Sequence, residues 1–465
     1  RNLPNPDSRR DSHPGSMKNQ RDIFFRKPTT NPYRIFILLL LIMGMIWLIR
    51  QMEQGNITRP FTPTPTPTRV AQSYALEGEA QFAAGKLDAA ITAYQEATRV
   101  DPNDAEVWAK LARIQTYSST LLTTDDQQRD RLQDGLASIE KAVELAPDDS
   151  DVIAIYAFVL DWNANSILFG IDQADDYLLE AEQAAVRAIQ LDNQNTLALA
   201  FYAEILVDEQ KWGQAEQYIT QAAEQDSSLM DVHRVYAYVL ESLGQYNQAI
   251  QEYEKALAIT PNLTFLHLRA GANYRRLAFG SQNDATRTQL YESSLDYFAK
   301  AARLNEQLGI EDPVPYLSIA KTYSQEGEYF IAARNVQKAL EIDPSNPDIY
   351  GQLGIVYFKS RNYEGSIPAF KCAIRGCTAE ESCDGRGGCG PNDEPADVIG
   401  LELSGNTVVY YYTYGSVLAA LSRPKENYCD EAIDVMAEVR TQYSNDRDIM
   451  GIVQAGEEIC QSLGQ

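Results

Sequence analysis

The stretch between Met230 and Leu263 sets the pattern that most of this chain repeats. It contains two apolar stripes at helical spacing, separated by Gly244 and ended by Pro261. Small residues occupy the positions where two helices would approach closely, namely Ala237, Ala249 and Ala256. Because two helices this short cannot bury their apolar faces alone, the segment has to stack on copies of itself.

The spacing of these residues resembles that of the tetratricopeptide repeat (TPR) family. The matching residues of this unit are Tyr236, Ala237, Leu240, Ala249, Tyr253, Ala256 and Pro261. A copy that lies one repeat period earlier consists of Tyr202, Ala203, Leu206, Ala215, Ile219 and Ala222. Further copies begin near residues 71, 105, 150, 264, 313, 347 and 408. The resemblance implies an all-α fold, a right-handed α-solenoid of about nine TPR helix hairpins, which binds proteins or peptides on its concave face. In such an array we expect each hairpin to contact only its neighbours.

We expect the array to cover residues 71–445 and to end in a capping helix at residues 446–465. Three units exceed the family's usual length of roughly 34 residues by about 11 residues each. Since about 11 residues make three helical turns, both helices of a unit can lengthen while the buried stripes stay in phase. Two interpretations remain open, because the added length either forms a binding edge or reflects drift in repeat length.

Residues 33–50 predict a single transmembrane helix that anchors the chain. The uncharged core of this run extends from Ile35 to Ile49. It is shorter than the roughly 20 residues that a bilayer requires, but Arg34 and Arg50 extend the run by reaching toward the two surfaces. A cleaved signal peptide is the alternative, although no small-residue cleavage site follows the run. Basic residues gather on the N-terminal side, so we expect residues 1–32 to be cytoplasmic and the array to be extracytoplasmic.

Residues 51–70 form a Thr/Pro-rich spacer between this anchor and the array. Alternating proline favours an extended polyproline II segment, and a disordered linker is the alternative. Residues 1–16 precede Met17, a more natural initiator than Arg1, and we expect no structure there. These features together predict a single-pass protein of the cell membrane.

The charge differs strongly between the two parts of the chain. Residues 1–69 contain 11 basic and 4 acidic side chains, whereas residues 70–465 contain 29 basic and 61 acidic ones. The first part therefore carries a net charge of +7 and the array carries −32. An array of this charge repels nucleic acids and anionic lipids, so we expect no nucleic-acid binding.

By analogy with the family, the first helix of each unit lines the concave face. The residues placed there, besides Glu204, are Arg113, Tyr117, Phe158, Trp162, Arg234, Tyr238, Arg275, Arg276, Lys321, Phe358 and Lys359. This basic and aromatic lining predicts a peptide ligand with carboxylates and one or two apolar side chains. The alternative is that the cations complement the dipoles at the ends of these helices. The asparagines of the carboxylate clamp in chaperone-binding members are missing, so the resemblance does not extend to that ligand.

All six cysteines lie in the last quarter of the chain, and three of them lie within a glycine-rich, acidic loop insertion at residues 376–406. Their spacing and the lack of a nearby histidine disfavour zinc, and the loop's carboxylates lack the spacing of a calcium-binding EF-hand, so we expect disulfides and no metal. We predict a bond between Cys429 and Cys460, because stacked hairpins bring these positions to one edge. The remaining four then pair in one of three ways: Cys372, Cys377, Cys383 and Cys389.

The sequence contains no nucleophile with its base, no phosphate-binding glycine motif and no metal triad, so we expect no enzyme activity and no cofactor. The leading hypothesis is a membrane-anchored, bacterial-type TPR scaffold that binds proteins or peptides outside the cytoplasm. The alternative is an assembly subunit of a cell-envelope enzyme or of a transport or secretion complex, whose active residues lie in a partner. An enzyme within the cysteine loop is the third and weakest hypothesis.

Overall fold

The computed structural model describes residues 31–54, 69–390 and 393–463. These residues form helices and no β-strand, so the prediction of an all-α fold is confirmed. A 3₁₀ turn at Ser119–Leu121 follows the fourth helix. In chain order the helices are α1 (Pro32–Glu53), α2 (Ala71–Ala83), α3 (Leu87–Val100), α4 (Ala105–Ser118), α5 (Asp125–Leu145), α6 (Ser150–Asn163), α7 (Ser166–Phe169), α8 (Ile171–Leu191), α9 (Thr196–Asp208), α10 (Trp212–Gln225), α11 (Met230–Ser242), α12 (Tyr246–Ile259), α13 (Thr264–Gly280), α14 (Asp284–Leu308), α15 (Val314–Glu326), α16 (Tyr329–Ile342), α17 (Pro347–Lys359), α18 (Tyr363–Ile374), α19 (Ala379–Gly385), α20 (Val408–Leu421), α21 (Cys429–Tyr443) and α22 (Arg447–Ser462).

Helices α2 to α21 pair into nine hairpins, as the fold prediction requires. The pairs are α2–α3, α4–α5, α6–α8, α9–α10, α11–α12, α13–α14, α15–α16, α17–α18 and α20–α21. Polar side chains begin several first helices by accepting a hydrogen bond from a free backbone N–H, as Asp104 does for Val107 and Asn195 for Ala198. Helix α22 packs against α20 and α21 and covers the end of the array.

In several hairpins, the turn between the two helices contains a residue in the left-handed region. Gly244 and Gly327 occupy this position with φ of 74° and 83°. Gln210 and Arg361 occupy the same repeat position with φ of 63° and 62°. Because these two residues carry a Cβ atom, the conformation costs them roughly 1 kcal/mol that glycine avoids.

The second, third and sixth hairpins are the long ones. Helices α5 and α8 each have 21 residues and α14 has 25, whereas α4 and α6 keep 14. In hairpins two and three only the second helix is longer, although the repeat pattern allows both helices to lengthen. Their added residues extend the second helix and the turn before it, where Asn165 caps the short helix α7 and Gly170 ends it.

The first six hairpins curl until distant parts of the array meet. Nδ2 of Asn262, in the turn before α13, donates a hydrogen bond to the carbonyl oxygen of Ala83 at 3.3 Å. The rings of Tyr117 in α4 and Phe265 in α13 stack with 5.5 Å between their centroids. One continuous apolar core extends from α2 to α13. The expectation that each hairpin contacts only its neighbours is therefore wrong for this part of the chain.

A second apolar core extends from α15 to α22 and includes the cysteine loop. The backbones of Cys377 and Val398 exchange two hydrogen bonds within that loop. The structure brings the cysteines together in three pairs at disulfide-bonding distance. The Cα–Cα separation is 4.8 Å for Cys372–Cys377, 4.9 Å for Cys383–Cys389 and 5.5 Å for Cys429–Cys460. These separations fall within the range that a disulfide requires, and peptide mapping remains the chemical test of the pairing.

Helix α1 belongs to a unit separate from the array. It has 22 residues, which at 1.5 Å per residue span about 33 Å. By length and composition, its segment from Pro32 to Met52 is able to cross a membrane. Residues 1–30 of the expected tail and residues 55–68 of the expected spacer lie outside the described residues.

Candidate functional site

The first helices of successive hairpins present equivalent positions to the same face of the array. Glu204, Tyr238 and Ala272 occupy one repeat position in α9, α11 and α13, each one period after the last. All three line a single cavity on the inner side of the curl. The repeat period thus converts one sequence position into a row of neighbouring side chains.

A buried polar network joins hairpins two, four and five beside this cavity. The guanidinium of Arg234 forms two hydrogen bonds with the carboxylate of Glu204, at 2.6 and 2.5 Å. Its Nε donates to the hydroxyl of Tyr117 at 3.0 Å, and that hydroxyl donates to Asp231. Arg113 forms an ion pair with Asp231 at 2.5 Å. Two cations and two carboxylates are thereby neutralised inside the protein, which is the condition under which buried charges are tolerated.

Aromatic rings enclose the guanidinium of Arg234. Its Cζ atom lies 5.4 Å from the ring centroid of Tyr117, 5.6 Å from that of Phe158 and 5.9 Å from that of Trp162. The centroids of Tyr117 and Phe158 are 5.1 Å apart, and Trp162 meets Tyr117 edge-on at 5.6 Å. Cation–π attraction in this dry setting adds to the ion pair with Glu204.

The burial of these residues corrects the sequence-based picture of an open peptide-binding surface. Tyr117 and Phe158 are 0% exposed and Arg234 is 6% exposed. Arg234 borders the cavity, but its guanidinium is committed to Glu204 and Tyr117, while Arg113 is committed to Asp231. These side chains brace the curled array. The physical reason is the curl itself, which brings α13 across the face that an open solenoid would leave free.

A cavity of about 680 Å³ remains open next to the network. Its walls come from α6, α9, α11, α13 and α15, with one residue of α12, and part of its rim comes from α7 and from the turns after α4 and α6. Trp162 and Tyr238, two of the residues expected on the binding surface, line it. The other lining residues are Thr120, Asp161, Ala164, Asn165, Ser166, Ile167, Glu204, Asp208, Arg234, Tyr253, Phe265, Leu268, Arg269, Ala272, Val314 and Ser318. A cavity of this size accommodates one or two side chains of a peptide.

Two aspartates, Asp161 and Asp208, contribute carboxyl groups to the cavity wall, and each of these groups affects the pKa of the other. Burial, followed by the charges of Asp208 and Glu204, raises the pKa of Asp161 well above its usual value. Asp208 is exposed to the cavity, yet the surrounding protein desolvates its carboxyl group and raises its pKa to about 6. The hydrogen bond that Tyr238 donates to it at 2.6 Å acts in the opposite direction and lowers the pKa. The pair therefore holds a proton more readily than two isolated carboxyl groups do.

Three of the cations expected on the binding surface, Arg275, Arg276 and Lys321, lie near one another and outside the cavity lining. Nη1 of Arg275 donates to the carbonyl oxygen of Ser318 on the cavity wall at 3.1 Å, and Arg276 forms an ion pair with Glu241. Burial and the nearby charge of Arg276 lower the pKa of Arg275 to about 10. Burial and the two arginines also lower the pKa of Lys321. The three positive charges therefore form one cluster, which is separate from the bracing network.

The last two expected residues, Phe358 and Lys359, stand apart from the cavity. They end α17, which belongs to the second core, and Phe358 packs against Tyr363 with 5.7 Å between ring centroids. The residues expected on one continuous surface thus fall into a buried brace, a cavity wall, a cationic cluster and this separate pair.

The sequence analysis overlooked Asp161 and Asp208, because it selected basic and aromatic residues. A signal was present for both. Asp161 is the single charged residue between Val152 and Trp162, and Asp208 ends the apolar helix α9. An acidic residue in so apolar a helix requires either a buried partner or a functional role.

Family models match three segments of the array. The model described as a TPR repeat matches residues 78–115 and 320–360, and the model described as a tetratricopeptide repeat matches residues 231–263. The first of these segments spans parts of hairpins one and two, the second parts of hairpins seven and eight, and the third nearly all of hairpin five. The repeats recognised from spacing alone are thus recognised independently.

Two other proteins are similar in sequence to part of this chain. The antiviral innate immune response effector IFIT1 of Homo sapiens is 26% identical over 215 residues, which cover 45% of this chain and 44% of that protein. The TPR repeat-containing protein YpiA of Bacillus subtilis is 22% identical over 313 residues, which cover 63% of this chain and 69% of that protein. The chain therefore spans less than half of the length of IFIT1 in this comparison.

Solved structures of similar fold include human IFIT1. The human IFIT1 dimer with PPP-AAAA has a TM-score of 0.51 and 18% identity, and the alignment covers 86% of this chain and 92% of that one. The dimer with m7Gppp-AAAA has a TM-score of 0.50 and 15% identity, with 88% and 93% covered. At these identities the likeness shows a shared fold alone. The matched repeats and the nine stacked hairpins show that this chain contains tetratricopeptide repeats, and they support a protein of the tetratricopeptide repeat family.

Proposed function

We propose that this chain is a non-catalytic scaffold that binds an extended segment of a partner protein in the cavity on its concave face. The observation that carries the proposal is the cavity itself, whose walls come from the first helices of five successive hairpins. Its lining combines aromatic rings, such as Trp162 and Tyr238, with a small number of charged groups. Concave sites with this mixture are the usual places where proteins bind ligands.

We further propose that α1 tethers this scaffold to the cell membrane, with the array outside the cytoplasm. The length and composition of α1 support a membrane span, and the basic residues before it support a cytoplasmic N-terminus. Three cysteine pairs at disulfide distance support an oxidising compartment for the array. Protease added to spheroplasts should then digest the array, and complete protection while the membrane is intact would contradict this topology.

The charge of the cavity supports a protein ligand over a nucleic acid. Its wall carries three carboxyl groups, those of Asp161, Glu204 and Asp208, and two guanidinium groups, those of Arg234 and Arg269. The IFIT1 structures hold PPP-AAAA and m7Gppp-AAAA, which are phosphate-bearing molecules. A phosphate chain in this cavity would meet an excess of carboxyl groups, so we propose no such ligand for this chain.

Filling the cavity tests the proposal. Replacing Ala272 by tryptophan places a large ring among the lining residues, whereas Gly213→Trp adds the same ring at a helix position where a Cβ atom meets nothing within 4 Å. Affinity capture of the cross-linked full chain from native membranes should lose its partners with Ala272→Trp and keep them with Gly213→Trp. Unchanged capture by Ala272→Trp, with the fold intact by circular dichroism, would move the binding site away from the cavity.

A further inference from the structure

We propose that the cavity receives a basic side chain, lysine or arginine, of the partner segment, with Asp161 and Asp208 as its counter-ions. The inference rests on the proposed function, because it specifies the chemistry of the segment that the cavity binds. It also reverses the expectation from the sequence alone, which was a ligand rich in carboxylates.

The first argument is an acceptor without a donor. Asp161 is 5% exposed and lines the cavity, and its Oδ1 atom is buried and receives no hydrogen bond from any donor in the described part of the chain. The neighbour of its carboxyl group is the carboxyl group of Asp208, which is itself an acceptor when ionised. Buried carboxylates are almost always satisfied. A cation bound at the cavity wall would stabilise the ionised form of both carboxyl groups, in place of a proton held between them.

The second argument is that the other charges at this wall are already committed. Arg234 gives both terminal nitrogens to Glu204, and Arg269 faces Glu241 at 3.5 Å. The hydroxyl of Tyr238 donates to Asp208, which leaves the remaining acceptor capacity of the two aspartates unused. A ligand cation completes this arrangement without displacing an existing pair, whereas a ligand carboxylate adds a further negative charge beside two carboxyl groups.

The third argument is the apolar and aromatic part of the wall. Trp162, Tyr238 and Phe265 line the cavity, together with the aliphatic side chain of Leu268. Lysine and arginine have long hydrocarbon stems that pack against such surfaces while their charged ends reach polar groups. The rings also attract a cation through their faces. The cavity thus matches both the stem and the charged end of a basic side chain.

Binding of this kind depends on pH in a defined direction. The groups that face Asp161 and Asp208 are Glu204, Arg234, Tyr238 and Arg269. Since the pKa of Asp208 is about 6 and that of Asp161 is also raised, the pair is partly protonated at pH 5 and ionised to a greater extent at pH 7.5. Binding of a basic peptide should therefore strengthen as the pH rises between these values.

The experiment uses the full chain in detergent micelles and a library of acetylated, amidated pentapeptides with random flanks and each amino acid in turn at the centre. We expect lysine and arginine at the centre to be enriched at pH 7.5 by about tenfold over norleucine and glutamine, as a charge-assisted contact provides. The enrichment should vanish in the Asp161→Asn, Asp208→Asn double variant. It should persist in Asp130→Asn, Asp134→Asn, which removes the same charge from exposed positions on α5.

The outcomes separate this inference from the proposed function. Enrichment of acidic peptides, or a basic enrichment that survives the loss of both aspartates, overturns the inference and leaves peptide binding intact. Failure of the unmodified chain to retain any peptide overturns the proposed function itself. A free organic amine is the alternative source of a cation, and calorimetric titration of the full chain with spermidine tests it. Spermidine binding that depends on the two aspartates, without any selection among the peptides, would identify a free amine as the ligand and also overturn the inference.

Discussion

The buried pair of Glu204 and Arg234 offers a quantitative test of how the array is held in its curled form. The two side chains are 6% and 7% exposed, so solvent screens their charges little. Replacing Glu204 by leucine leaves the guanidinium of Arg234 buried without a carboxylate, and such a loss typically costs about 3–5 kcal/mol of unfolding free energy. Replacing Arg234 by methionine leaves Glu204 unpaired beside Asp161 and Asp208, so we expect a cost at least as large.

The double variant should be much milder than either single variant. With both charges removed, no ion remains unpaired, and apolar side chains of similar volume commonly replace a buried ion pair at a net cost of about 0–2 kcal/mol. The difference between the double variant and the sum of the single variants therefore amounts to several kcal/mol. Lys141→Met serves as the control, because its ion pair with Glu144 is exposed and is worth less than about 0.5 kcal/mol.

Hydrogen exchange measured by mass spectrometry on the full chain is the suitable assay, because a repeat array need not unfold in one step. The network connects α4, α9 and α11, so both single variants should lose protection in all three helices, and the double variant should regain most of it. Single-variant costs that simply add in the double variant would refute the reasoning. A loss confined to the mutated helix would refute the role of the network in holding distant hairpins together.

Three further predictions follow from the described contacts. The pKa values of Asp208 and Asp312 are both raised to about 6, so the folded array binds protons more tightly than the unfolded chain. The stabilisation that this provides is complete below about pH 4 and is lost as the pH rises through 6. The melting temperature should therefore fall between pH 5 and pH 7.5, and it should fall less in Asp161→Asn. Gln210→Gly should raise the unfolding free energy by about 0.5–1 kcal/mol by relieving the left-handed conformation, and Gly244→Gln should lower it; equal melting curves for both would contradict the turn assignment. Replacing Cys429 and Cys460 by serine should remove about 3–4 kcal/mol and increase exchange in α22, and non-reducing peptide mapping should find the two joined in the parent chain.

The hairpins were predictable from the sequence because their determinants are local. The apolar stripes around Gly244 and the stop at Pro261 act within a single unit, and α11 begins at Met230, where the pattern begins. The inward position of Trp162 and Tyr238 followed from their place in the repeat, since the period carries a position from one hairpin to the next.

The closure of the curl was not predictable in the same way. It depends on small rotations that accumulate over five hairpins until Asn262 reaches Ala83. The closure of the curl decides which inward side chains are buried and which line the cavity. Tyr117 is fully buried in the polar network, whereas Tyr238 lines the cavity and is accessible to a ligand. The acidic character of the site depends on Asp161 and Asp208. The net charge of the array does not single out these two residues, but their positions in apolar helices do.

Site-specific photo-cross-linking tests most directly whether the cavity is the place where this scaffold binds its partners. A benzoylphenylalanine residue at position 272 would lie on the cavity wall, and one at position 213 would lie on an exposed helix surface. The full chain, irradiated in native membranes, should form covalent adducts with partner segments from position 272 and not from position 213. Adducts from position 213 alone would contradict the account.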